Sequence, residues 1–425
     1  MLSTDAPLSD WLAWLETLSP AEIKLGLDRV QLILGRLDLP RPANLLLIAG
    51  TNGKGSSVAM TDALLRASGR SVGAYTSPHI GRYNERIVVN GIAVSDAEII
   101  AAFARIEAAR GDTELTYFEF GTLAAAVVFA AADLDVWVLE VGLGGRLDAT
   151  NAFEPTASLI SNVSLDHCDW LGNDIETIAV EKAGVMRAGI TTVFGAAGVP
   201  AAIEHQAKTI GTTLLLAGRD FDFKIVDEYK WSFIGPSGDL QGLQPPGLLG
   251  EFQTANAAAV LALLDATGLL DRITVELVNS VLPGLSLPGR SQRLVVDACE
   301  WLIDVAHNPA AAEALAVTMG TTAPSGTTFA IVGLLNDKDV AGVIRPLIEQ
   351  VDRWIAITAG SNRAVPADEL ARQISNFAGR ACLVAPSVRE AIEFARRSAS
   401  ENDRILVTGS FFTVGPVLDQ LATKT

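Results

Sequence analysis

Leu45-Leu-Leu-Ile-Ala-Gly-Thr-Asn-Gly-Lys-Gly-Ser-Ser57 decides how the rest of the chain is read. A short apolar run drives into a glycine-rich turn, then a lysine, then hydroxyls. The run is too short to span a membrane and reads as a buried strand. Strand, loop of open backbone N–H groups and helix N-terminus is the order that phosphate binding needs. Gly50, Gly53 and Gly55 let the backbone approach phosphate without side chains in the way. Lys54 supplies a point charge for terminal phosphates, and Ser56 or Ser57 could reach a magnesium ion. The plain alternative is a strand-to-helix turn carrying a surface lysine.

The match to the standard P-loop is imperfect. That pattern is Gly, four residues, then Gly-Lys-Ser/Thr. Here Ile48 stands at the first glycine and Gly55 separates Lys54 from Ser56.

Working outward, 425 residues, 49% of them apolar, suffice for two domains with real cores. The net charge of -17 argues against nucleic acid and anionic membranes as partners, yet allows a local basic cleft for a small anion. Cys168, Cys299 and Cys382 are too widely spaced for a metal cluster and fit a reducing cytoplasm. No basic-then-apolar leader opens the sequence, so no signal peptide is expected. Asp133 and Asp135 break the apolar stretch Ala124–Val141, so it is not a membrane span.

Strand-like and helical runs alternate, which predicts an α/β fold with mainly parallel sheets. Leu45–Ala49, Ser71–Tyr75, Val136–Val141, Ala157–Ser161 and Thr191–Phe194 read as strands. Ser56–Ser68, Phe118–Ala132 and Gln253–Leu264 read as helices. Between about Thr213 and Gly250 the pattern turns to period two, around Phe221–Val226 and Tyr229–Ile234, and predicts a small antiparallel sheet. Pro283–Gly289 is the best linker. Alternation then restarts at Leu294–Asp297, Trp301–Val305, Thr328–Val332, Trp354–Thr358, Ala381–Val384 and Arg404–Val407, with helices at Ala310–Thr318 and Val388–Ala399. The expected organisation is a P-loop-type domain over residues 1–286 and a smaller Rossmann-like α/β domain over residues 287–425.

Several motifs fall just past strand ends, where ligands collect in open α/β sheets. Thr76-Ser-Pro-His-Ile80 places Ser77 for a metal or phosphate contact, or is a Ser-Pro turn. Glu140-Val-Gly-Leu-Gly-Gly-Arg-Leu-Asp-Ala-Thr-Asn151 offers a carboxylate that can hold magnesium beside phosphates, or is a glycine turn. As a dinucleotide fingerprint it fails, because Leu147 stands at the third glycine. Asp166 and Asp169 flank His167, and Lys182 follows on a probable helix in Glu181-Lys-Ala-Gly184. Buried, such a lysine becomes a neutral amine able to capture carbon dioxide; exposed, it is a surface cation. In Asp304-Val-Ala-His-Asn-Pro309, Asp304 and His307 could serve an amine nucleophile by charge and by proton transfer. Asn308 is equally a helix N-cap ahead of Pro309. Arg290, past the linker, is a candidate phosphate clamp or a surface arginine.

Together these segments, with Gly50–Ser56, Asn84-Glu-Arg-Ile87 and the rest in this order, resemble the folylpolyglutamate synthase family within the Mur ligase superfamily. Leu165–Gly172, Asn336-Asp-Lys-Asp339 and Gly409–Gly415 look like its bacterial bifunctional branch, which also has dihydrofolate synthase activity. The resemblance implies an ATP-dependent carboxylate–amine ligase of folate and one-carbon metabolism, a cytoplasmic monomer. Its substrates would be dihydropteroate, tetrahydrofolates and L-glutamate. By the same resemblance Gly50, Thr51, Asn52, Gly53, Lys54, Gly55 and Ser56 cradle the ATP phosphates. Asn256 contacts adenine, Arg290 the terminal phosphate, and Asp304 the nucleotide from the second domain. Ser77, Glu140, His167 and Lys182 hold two magnesium ions, with Lys182 carbamylated. Phe118, Gly121, Leu147, Ala149, Thr150 and Asn151 lie by the pterin, and His307 serves the substrate side. Lys54, Lys182, Asp304 and His307 carry the chemistry. One departure touches the adenine contact: the family often has His-Gln where this chain has Phe252-Gln253.

Three other readings compete: folylpolyglutamate synthase activity alone, a peptidoglycan Mur ligase and a nucleotide-dependent switch protein. Gly55 disfavours the second, since peptidoglycan ligases resemble Gly-Lys-Ser/Thr directly. Asp304 and His307 disfavour the third.

Overall fold

The computed structural model describes residues 3–19, 24–322 and 324–422. Its organising strand is β1 (Asn44–Ala49), buried on both faces along nearly its whole length, as a central parallel strand must be. Around it an eight-stranded sheet runs in the order β4-β3-β2-β5-β1-β6-β7-β8. These are β2 (Val72–Tyr75), β3 (Ile87–Val89), β4 (Ile92–Ala93), β5 (Val136–Glu140), β6 (Ala157–Ile160), β7 (Thr191–Phe194) and β8 (Thr213–Leu216). All neighbours are parallel except the β2–β3 and β3–β4 pairs. Ile48 pairs with Glu140 on one side and Leu159 on the other. The loops leaving β1, β5 and β6 therefore start at one level, at the carboxyl edge where the strand order reverses.

Two cores cover this sheet. On one face the helices Leu8–Leu18, Asp28–Leu37, Asp96–Arg110 and Tyr117–Ala132 contribute Trp11, Ile33, Phe103 and Phe129. On the other, Lys54–Ala67 and Glu251–Ala266 contribute Leu64 and Leu261. A three-stranded antiparallel sheet, β11-β10-β9, closes that second core. It is built from β9 (Asp222–Asp227), β10 (Lys230–Ile234) and β11 (Leu240–Leu243). Alternation along β10 puts Trp231 and Phe233 inward, and the Trp231 indole N–H donates to the Gln244 carbonyl at 2.9 Å.

The remaining strands form a separate six-stranded sheet, β12-β13-β17-β14-β15-β16. They are β12 (Gln292–Val296), β13 (Cys299–Ile303), β14 (Thr328–Val332), β15 (Arg353–Ala356), β16 (Cys382–Val384) and β17 (Arg404–Thr408). Only β12 is antiparallel to its neighbour, and the sheet has an apolar core on each face. The mixed α/β architecture read from sequence is thus the architecture observed. The first two helices, the helix Asp96–Arg110 and the β3–β4 hairpin are additions to that reading. All three cysteines are free thiols. Among the described residues no helix is long and apolar enough to cross a membrane.

Candidate active site between the two sheets

Gly50 leaves β1 at φ +145°, and a Cβ there would lie 1.9 Å from the Ser161 hydroxyl. Gly53, at φ +83°, caps the helix Lys54–Ala67, and a Cβ there would press on the Asn256 amide at 2.8 Å. Only glycine meets both demands. Replacing Gly50 with alanine should therefore misplace the turn. We expect ATP-dependent turnover to fall at least about 10²-fold with little change in overall fold, as read by steady-state rate and circular dichroism.

The turn is pinned from β6. Thr51 donates its amide to the Asn162 carbonyl at 3.0 Å and its hydroxyl to the Ser164 carbonyl at 3.1 Å. The Asn52 amide donates to the Asn162 side chain at 3.0 Å. Lys54 curls back, its ammonium donating to the Gly50 and Thr51 carbonyls, each at 3.1 Å. Burial pulls its pKa down, against the opposing pull of Glu140 and Asp166. Ser56 is buried and its hydroxyl accepts from the Gln253 amide at 3.2 Å; Gln253 in turn accepts from Asn256 at 3.0 Å. Gln253 thus ties the helix Glu251–Ala266 to the helix Lys54–Ala67 of the turn.

Glu140, buried at the end of β5, accepts from the Ser77 amide at 3.1 Å. Burial raises its pKa, and Lys54 and the Ser77 amide work against that. Gly55 lies between Glu140 and Arg290. His167 has φ +51° and caps a short helical turn. Burial takes its pKa down to about 4 despite Asp166, so its imidazole is neutral and able to ligate at physiological pH. Lys182 is buried on the helix Ile175–Ala183 and donates to the Gly50 carbonyl at 2.9 Å, the oxygen that Lys54 also uses. Burial first, and Lys54 second, bring its pKa to about 7. The sequence left Lys182 open between buried amine and surface cation; it is the buried amine.

The other sheet completes the cleft. Asp304, just past β13, accepts from the Ser291 amide at 2.7 Å, the Ser291 hydroxyl at 3.0 Å and the Ala306 amide at 2.7 Å. Burial raises its pKa, opposed chiefly by Arg290. Arg290 is not a surface arginine. Its guanidinium stacks 5.0 Å from the Phe411 ring, and its buried Nη1 has no hydrogen-bond partner. His307 donates Nδ1–H to the Val305 carbonyl at 2.7 Å, since a carbonyl can only accept, and turns Nε2 to within 3.4 Å of Asp166.

On the side toward β2, the Phe118 ring lies against Gly142 and 6.1 Å from that of Tyr75, while Gly121 abuts the Tyr83 hydroxyl. Leu147 is half-buried and Ala149 buried in the same glycine loop. Thr150 spends its hydroxyl on Asp148 at 2.6 Å, and Asn151 donates to the Arg146 and Gly184 carbonyls at 3.1 and 2.9 Å. On this geometry their side chains hold the loop in shape. Asp166 and Lys338 went unassigned in the sequence: their side chains meet at 2.6 Å across 172 residues of chain. Both stand in stretches that resemble the bifunctional branch, and Asp166 also follows a strand end; neither signal pairs the two.

The Mur ligase middle domain family matches residues 48–192, and the Mur ligase glutamate ligase domain family matches residues 289–411. The chain is 39% identical over 420 residues to the dihydrofolate synthase/folylpolyglutamate synthase of Escherichia coli (strain K12), covering 99% of this chain and 96% of that protein.

The chain belongs to the folylpolyglutamate synthase family of Mur ligases.

Solved structures of this family superpose over the whole length. E. coli FolC in complex with DHPP and ADP has a TM-score of 0.93 at 38% identity, covering 100% of both chains. The Yersinia pestis bifunctional folylpolyglutamate synthase/dihydrofolate synthase complexed with AMPPNP and Mn ion has a TM-score of 0.91 at 39% identity, covering 99% of this chain and 100% of that one.

Among the described residues no group of three or more His, Cys, Asp or Glu side chains could hold a metal ion. The family's divalent cation therefore needs a mixed donor set here. Buried Glu140, neutral His167 and the adjoining Ser77 fit it in kind, as oxygen and imidazole donors beside a phosphate turn.

Proposed function

We propose that this protein is an ATP-dependent ligase that joins L-glutamate to dihydropteroate, forming dihydrofolate, and to tetrahydrofolates, extending their glutamyl tails. The observation that carries the reading is Arg290. A buried guanidinium nitrogen without a partner, brought from the second unit to Gly55 and Glu140, calls for an anion at that point. A terminal phosphate seated on the Gly50–Ser56 turn is that anion.

The substrate carboxylate attacks the γ-phosphorus of ATP, giving an acyl phosphate and ADP. The amine of L-glutamate then attacks the acyl carbon, phosphate leaves, and the ammonium proton is lost. Backbone N–H groups of the turn and the cations Lys54 and Arg290 stabilise charge on the transferring group. Asp304 holds Arg290 and the Ser291 turn in place, and with His307 it serves the incoming amine. Asn256 lies on the adenine side. Phe118, Gly121 and the loop Leu147–Asn151 form the wall for the pterin.

A bound divalent cation supplies Lewis-acid neutralisation of the phosphates. Glu140, His167 and Ser77 would hold it. Their single carboxylate is a sparse set for a hard cation, and Lys182 supports a remedy. With its pKa brought down to about 7 by burial, a large share of it is neutral amine at physiological pH. The neutral Lys182 amine plus carbon dioxide gives a carbamate and one proton, placing a second carboxylate at the site. We extend the reading to two magnesium ions on this enlarged set. We place the unit boundary at residues 286 and 287, and the protein, with its free thiols, in the cytoplasm as a monomer.

Phosphate release tests the ligase reading against a simple nucleotide switch. We expect release from ATP to require both the carboxylate substrate and L-glutamate for full rate. Equal release with neither present would overturn the reading.

A further inference from the structure

Asp166 is the point where the two units meet. Its Oδ1 accepts from the Lys338 ammonium at 2.6 Å, and its Oδ2 accepts from the Asn308 amide at 3.0 Å, with His307 Nε2 at 3.4 Å. All three partners come from the second unit. Oδ1 also accepts the His167 amide at 2.8 Å, fixing the loop that follows β6. Both charged side chains are nearly inaccessible, Lys338 at 6% and Asp166 at 7%. Asn308 reaches further. It exchanges side-chain hydrogen bonds with Asn52 of the glycine turn at 3.0 and 3.2 Å, while its Oδ1 caps the helix Pro309–Thr321. Asn52 is itself held by Ser161 at 2.6 Å and Asn162 at 3.0 Å. One amide of the second unit therefore bonds both loops that leave β1 and β6, and one buried ion pair locks it there.

We infer that Asp166 and Lys338 are positioning residues for ligation: they fasten the second unit over the phosphate turn, so that the acyl phosphate meets the amine of glutamate and not water. They act through Asn308 and His307 and touch neither reacting atom. The inference rests on the ligase reading above. The alternative fate is hydrolysis: water attacks the acyl phosphate, the original carboxylate is regenerated and phosphate leaves, so one ATP is spent without an amide bond.

The test uses the full-length chain and counts phosphate released per glutamate ligated in wild type, Lys338→Met, Lys338→Arg, Asp166→Asn and the Asp166→Asn/Lys338→Met double variant. For Lys338→Met we expect ligation to fall about tenfold or more, the phosphate-to-amide ratio to rise from near one to several, and the KM for ATP to stay within about twofold. Lys338→Arg, which keeps the charge, should restore most of the coupling. The double variant should be no worse than its weaker parent, because both lesions break one fastening. A ratio that stays at one while only the KM for L-glutamate rises, or losses that add in the double variant, would overturn the inference alone. A wild-type chain that ligates no glutamate would overturn the ligase reading first.

Discussion

Lys54→Ala should lower ATP-dependent glutamate ligation by about 10³-fold or more while leaving the far-ultraviolet circular dichroism unchanged. The half-buried lysine donates to the Gly50 and Thr51 carbonyls near Glu140, and desolvation already works against its charge. The fold can lose such a group cheaply because the site, not the core, uses the charge. An anionic transition state in the same place cannot, since little solvent reaches it to take over. Glu140→Ala should behave alike. Wild-type turnover in either variant would remove the phosphate site from this turn.

Lys182→Ala should cost about 10²-fold or more, and short carboxylic acids added to the assay should restore part of the rate. The added acid replaces the carboxylate that a carbamate would supply. Acids that leave the variant as inactive as before would speak against the carbamate. The same residue makes a stability prediction with a definite sign. Burial depresses the pKa of unmodified Lys182 from 10.5 to about 7. Between those values the unfolded chain binds more protons than the folded one, so this lysine's contribution to stability rises with pH across the window and is least below pH 7. The full swing is on the order of 5 kcal/mol. In buffer free of carbon dioxide, Lys182→Met should raise Tm at pH 7 and flatten its rise toward pH 10. A variant that melts earlier at pH 7 would contradict the burial of an uncompensated amine.

Much of this was legible because the chemistry is written where parallel strands end. β1 and its glycines, Ser77 after β2, Glu140 at the end of β5 and Asp304 after β13 each sit in a local pattern of strand followed by polar turn. Burial was not legible. Lys182 follows Glu181 on a short helix, and nothing in that stretch says that one side chain turns inward while the other pairs with exposed Arg146. Arg290 likewise stays open between phosphate clamp and surface arginine until Phe411, more than a hundred positions on, is seen against it. Contacts that join distant segments, such as Asp166 with Lys338, leave no periodic trace.

Some omissions had a signal that could have been used. Ser95 and Glu98 form a capping box at the start of Asp96–Arg110, the pattern that also opens Tyr117–Ala132 at Thr116 and Glu119. The N-terminal helices are harder. Leu8–Leu18 fully buries Leu8, Trp11 and Leu15 and packs half-buried Leu12, Trp14 and Leu18 beside them, yet it precedes the first strand and joins no strand–helix alternation. Thr150 and Asn151, expected beside the pterin, donate to Asp148 and to the Arg146 and Gly184 carbonyls and so fold their own loop, which no local pattern announces.

The central claim is that glutamate is ligated to a folate-type carboxylate at the cost of ATP. Purified protein incubated with ATP, magnesium, L-glutamate and either dihydropteroate or tetrahydrofolate, with product masses read out, tests it most directly. We predict that each substrate gains glutamyl residues, one on dihydropteroate to give dihydrofolate, and one or more on tetrahydrofolate. Unchanged masses for both, alongside ligation of an amino acid to a UDP-linked peptide or ATP hydrolysis alone, would contradict the account.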